Sequence, residues 1–250
     1  MIKPLLKPTF NLFLGSLTAK ALKQVSAIIL LCALTTKAVL AQAPSFTDVE
    51  TDVYAKEIQQ AVETGLIAGF SSNNTFRPTL ELTREQMVSM VINALSKLPV
   101  SPLTVPHDPP PAAGNLSKVT SSPYRDVEVT RWSAAMIEWA KFNSIVLGYS
   151  DGTFRPSQTV TRAELMVVLR KAVQYADEAG AGSSIANNKP AIAFSDISNH
   201  WAHKQIVQMS AYCGVATPVN ETGNAFFPNS GTRRNYGAAA TLRMLNCLRK

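Results

Sequence analysis

The chain is poor in the residues from which most catalytic centres are built. Its 250 residues include only three histidines and three cysteines. His200 and His203 stand one helical turn apart, but no third nitrogen, sulfur or paired carboxylate accompanies them, too few ligands for zinc. No nucleophile elbow or phosphate loop occurs, and Glu138 and Glu164 read as helix-surface or capping groups rather than an acid/base pair. Ser150-Asp-Gly-Thr153 has too few carboxylates for a calcium loop. Acidic residues are absent from positions 1–41, which hold Lys3, Lys7, Lys20, Lys23 and Lys37. Downstream, 19 basic face 17 acidic side chains, so the net charge of +7 is mainly a property of the N-terminus. That distribution excludes a polyanion-coating protein, and no nucleic-acid partner is expected.

A long apolar run is also missing. Val25–Leu34 is about half of the roughly 20 residues that a membrane-spanning helix needs. A cationic start, this apolar run and a small-residue site form a secretory leader, with cleavage expected after Ala41. Removal of residues 1–41 leaves Cys213 and Cys247. They fall near the far ends of two successive helices, and antiparallel packing would hold the sulfurs roughly 20 Å apart, beyond disulfide reach. Two buried thiols are therefore expected.

What is present is repetition. Three copies are delimited, 46–98, 124–175 and 194–250. Each runs from an aromatic-x-Asp-aliphatic opening (Phe46-Thr-Asp48-Val, Tyr124-Arg-Asp126-Val, Phe194-Ser-Asp196-Ile) through a helical stretch, a polar turn and Phe-x-Pro to a second helical stretch. Residues 99–123 contain seven prolines and form an extended spacer; residues 176–193 are rich in Ala, Gly, Ser and Asn. A unit of about 50 residues buries little core alone, so the copies are expected to pack together. Trp132, Met136, Ile137 and Ala140 share one helical face, as do Leu165, Val168, Leu169 and Ala172, and Met87, Met90, Val91 and Leu95. Thr161-Arg-Ala-Glu164 and Thr83-Arg-Glu-Gln86 have the form of capping boxes. The fold class is all-α, a threefold helix–turn–helix.

Phe-x-Asp-Val, Trp-Ala-x-x-x-Ile, Gly-Tyr-x-Asp-Gly-Thr-Phe-x-Pro and Thr-Arg-Ala-Glu, in this order, resemble the S-layer-homology module. The resemblance implies three tandem modules in a pseudo-trimeric, three-lobed bundle, the third divergent. It further implies an exported, non-enzymatic protein of the wall or cell surface, without cofactor, that binds secondary cell-wall polysaccharide or a peptidoglycan-linked glycan, commonly through pyruvate ketals. A tether to the outer membrane or another envelope protein is the alternative; a small wall-active enzyme lacks an acid/base constellation and room for a separate catalytic domain. The motif arginine is the implied groove contact: Arg84 and Arg162, with Arg233 favoured in copy three over Arg234, which counting from Pro228 selects.

Physical chemistry gives these arginines two readings. Beside a helix N-terminus, a guanidinium and free N–H groups together suit a carboxylate. Alternatively, the arginine pairs with an acidic residue of its own repeat or extends into water. Trp132 and Trp201 are either platforms for a sugar ring or core residues of the first helix. Asp48, Asp126 and Asp196 are expected to serve as local turn or capping groups.

Overall fold

In a computed structural model, residues 46–99, 110, 119–180, 188–219 and 223–250 are described. Residues 1–41, expected to be a leader, and most of the proline-rich spacer lie outside the described residues, as do residues 181–187 of the second linker. Among the described residues there are six helices and no strand: α1 (Ala55–Glu63), α2 (Arg84–Leu95), α3 (Ala134–Phe142), α4 (Arg162–Glu178), α5 (His203–Ala211) and α6 (Arg234–Leu248).

The opening aspartate of each copy reaches far beyond its own turn. Asp48 accepts from the backbone N–H groups of Phe76 and Arg77. Asp126 does so from Phe154 and Arg155, and Asp196 from Phe226 and Phe227. The middle residue of Phe-x-Pro is left-handed in every copy, with φ of 56° at Arg77, 59° at Arg155 and 54° at Phe227. A carboxylate with two acceptor oxygens offsets the cost of that conformation. The opening aromatic rings lie 5.2–5.7 Å, centre to centre, from Phe76, Phe154 and Phe226, the first residues of the Phe-x-Pro turns. Gly69 and Gly148 are required beneath two of them, since a Cβ there would strike the rings of Phe46 and Tyr124. The expected local role of these aspartates is thus corrected: each ties the start of the first helix to the entry of the second, 28–31 residues on.

The second helices meet at the centre, where α2, α4 and α6 pack on one another. Three backbone bonds form a closed cycle there: Leu82 N–H to Thr232 O, Thr232 N–H to Val160 O, and Val160 N–H to Leu82 O. Each first helix lies on the second helix of the preceding copy, α3 on α2, α5 on α4 and α1 on α6. Arg131 grips Glu85 bidentately at 2.8 Å, with the Ser133 hydroxyl on the same carboxylate. Arg243 grips Glu57 likewise. The apolar faces of α2 and α4 predicted from helical spacing are buried, and both capping boxes form. Gly237 admits Leu82 against α6, where a Cβ would collide.

The expectation for the cysteines is overturned: Cys213 and Cys247 form a disulfide, with Cα atoms 6.0 Å apart. Antiparallel helices were the wrong premise. After each first helix the chain returns to its starting end before the second begins, so both helices of a copy finish at the same end. Asn93 donating to Leu66 O and Lys171 to Ser144 O mark the same proximity in copies one and two.

Candidate functional site

The first residue of α2, α4 and α6 is an arginine: Arg84, Arg162 and Arg234, exposed by only 6%, 5% and 4%. Each sends its Nε–H, at 2.8 Å, to the clamped phenylalanine carbonyl of the next copy in the cycle: Phe154, Phe226 and Phe76 respectively. Each guanidinium also lies over that ring, 4.7–5.0 Å from its centre, a cation–π contact. This fixes the register of copy three. Arg234 is the counterpart of Arg84 and Arg162, and the preference for Arg233 is corrected. Arg233 occupies the N-cap, the place of Thr83 and Thr161, and makes no side-chain capping bond.

The helix N-termini do not offer free N–H groups to an anion. Arg84 and Glu85 donate their N–H groups to Gln158 O and Pro156 O; Arg162 and Ala163 donate to Ser230 O and Pro228 O. Arg234 and Asn235 donate to Leu80 O and Pro78 O. The next N–H in each helix is met by Thr83, Thr161 or Asn235. The bonds of the first two N–H groups run between copies, so the helix entries are joints of the ring.

The three guanidinium environments differ through the third residue of the neighbouring helix. Glu164 pairs with Arg84 at 2.7 Å and also receives the Tyr149 hydroxyl at 3.3 Å. Tyr236 takes the equivalent place against Arg162, which lies 3.7 Å over its ring; Nη2 of Arg162 is buried without a hydrogen-bond partner among the described residues. Gln86 takes that place for Arg234, whose Nη2 donates to Ala68 O. Burial and the nearby Arg77 push Arg234 down to about 10, Asp48 opposing.

A pocket of about 210 Å³ opens over Arg84, lined also by Leu147, Tyr149, Glu164, Lys171 and Trp201. All three copies contribute to it. Trp201 is 64% exposed and Trp132 54%, so the core reading of both is corrected. Each precedes its helix by two residues, where helical periodicity does not govern direction. Trp201 faces the pocket, with His200 packed beside it at 5.4 Å. Trp132 lies next to Arg131 and helps to hold Glu85 ionised. His200 and His203 turn to separate partners, Asn229 and Ile197 O.

Lys171 escaped the sequence reading. Its Nζ donates to Ser144 O at 2.9 Å, and burial, with a smaller contribution from Arg170, lowers its pKa. Alignment of the second helices carried a signal: the matching positions, Asn93 and Arg243, are also polar. Asn93 is uncharged, and Arg243 is engaged by Glu57, Gly214 O and Thr217 O.

A closed cycle of helical copies, with a pocket to which all three contribute, defines a repeat-built helical module. The family model of the S-layer homology domain matches residues 45–88 and 123–166. The two matched stretches lie in copies one and two, and the match does not extend to copy three. The chain is 28% identical over 134 residues to a cellulosome-anchoring protein of Acetivibrio thermocellus, covering 54% of this chain and 28% of the relative. It is 33% identical over 131 residues to cell surface glycoprotein 1 of the same organism, covering 50% and 5%. An endoglucanase of Bacillus sp. (strain KSM-635) is 31% identical over 129 residues, covering 52% and 12%. The chain spans less than a third of each relative's length.

Proposed function

We propose that the protein is an exported, non-catalytic anchoring protein that attaches non-covalently to an acidic cell-wall polysaccharide, and that copy three is a third, diverged S-layer homology module. The aspartate clamp, the buried first-position arginine and the cyclic packing recur in copy three, which supports the last point. One observation carries the binding reading: Arg84, Lys171 and the exposed Trp201 converge on one pocket with Glu164 as its sole lining carboxylate among the described residues. Net positive charge suits an acidic substituent, and a protruding indole suits a sugar ring. Arg84 forms part of the pocket wall, and Arg162 and Arg234 hold the equivalent joints between copies. The names of two relatives, an anchoring protein and a surface glycoprotein, agree with attachment at the envelope.

Sedimentation with purified wall sacculi of the producing cell tests the reading. The protein is expected in the pellet at low ionic strength, with release increasing as salt screens the contact. Protein left in the supernatant under all salt conditions would overturn it.

A further inference from the structure

The cation expected to receive the ligand's acidic group is the motif arginine. In the pocket above Arg84 that place is already taken. Nη1 of Arg84 is paired with Glu164 at 2.7 Å, Nε donates to Phe154 O and Nη2 to Leu147 O. A ligand carboxylate would have to displace a well-placed internal one. Glu164 is further fixed by its other oxygen, which accepts from the Thr161 N–H at 2.8 Å. Two turns along α4, Lys171 lines the same pocket. It has no carboxylate in ion-pair range among the described residues, and one of its three donors is spent on Ser144 O.

We propose that Lys171 is the residue that binds the carboxylate of the wall glycan, that Trp201 stacks its sugar ring, and that Glu164 is an internal competitor holding Arg84 in a structural role. The inference rests on the anchoring reading and names the contact within it. It also confines this mode of binding to one groove. At the equivalent position Asn93 carries no charge, while Arg243 is committed to Glu57 and two carbonyls. The place of Trp201 is taken in copy one by Val53, which offers no ring.

Glu164 can be tested without dismantling the helix entry, because Gln86 makes the same capping box in α2. Sacculus binding of the full mature chain is the readout, with circular dichroism confirming the fold of every variant. Lys171→Ala and Trp201→Ala are each expected to weaken binding roughly tenfold, Lys171→Arg to restore part of the loss, and Lys204→Ala, an exposed lysine of α5, to change little. Glu164→Gln is expected to tighten binding several-fold by releasing Arg84. Amidation of the sacculus carboxylates is expected to bring wild-type binding down to the Lys171→Ala level. Binding by Lys171→Ala or Trp201→Ala within twofold of wild type overturns the proposal, as does an equal loss in Lys204→Ala. Unchanged or weaker binding by Glu164→Gln overturns the competitor role, and binding unaffected by amidation overturns the carboxylate assignment. If the wild-type chain itself fails to sediment, the anchoring reading fails instead.

Discussion

Glu85 shows how much a single side chain does at a joint between copies. It sits on α2, but Arg131 and Ser133 at the start of α3 hold it. Burial pushes its carboxyl pKa up; hydrogen bonds from Arg131 and Ser133 outweigh this and leave it below the ordinary range. The folded value is therefore lower than the unfolded one. Its contribution is complete above the unfolded carboxyl range and is lost as pH falls through the depressed folded value. Glu85→Gln is expected to cost about 2 kcal/mol near neutral pH, roughly 4–8 °C in Tm for a chain of this size. Its melting temperature should also fall less than that of wild type between pH 5 and pH 3. Equal pH dependence in thermal melts of the two proteins would contradict this account. Sequence showed Glu85 only as a helix residue. Its partners lie 46 and 48 positions away, and no local pattern could supply them. The aspartates were hidden for the same reason, although the similar spacing from Asp48, Asp126 and Asp196 to their Phe-x-Pro turns, 28, 28 and 30 residues, was there to be read.

Among elements, the helices themselves were the most legible. Apolar spacing and the Thr-x-x-Glu/Gln boxes placed α2 and α4 because both signals are local. The course of the chain between helices was not legible: a polar turn of unknown direction decides whether two helices end together or apart, and the disulfide depended on that choice. Cys213 follows α5 and Cys247 lies in the last turn of α6, where Asn188 also donates to both sulfurs. The cross-link closes a loop of 34 residues, for which the chain-entropy argument gives about 3–4 kcal/mol. Cys213→Ser with Cys247→Ser should lower Tm by roughly 10 °C. By mass spectrometry, the oxidised protein without residues 1–41, and so without Cys32, should take up no alkylating reagent until it is reduced. Two alkylated cysteines without reductant would refute the pairing.

For the whole molecule, contacts follow a single cyclic direction. The second helix of copy one enters copy two, that of copy two enters copy three, and that of copy three returns to copy one. The core of each lobe thus comes from two copies, as with α3 on α2. Residues 46–250 are expected to unfold in one calorimetric transition, and residues 124–175 alone to lack a cooperative melt. Three separable transitions would show the opposite. Repetition and small unit size pointed to mutual packing, but which helix would cover which could not be read from any one copy.

Because the ring closes through α1 on α6, the copy at which the chain begins is structurally arbitrary so long as the cyclic order is kept. A circular permutant opened in the spacer of residues 99–123, with Lys250 joined to residue 44 by a flexible linker of suitable length, would keep every joint described above. The peptide links between copies then serve mainly to hold three mutually dependent parts at high effective concentration.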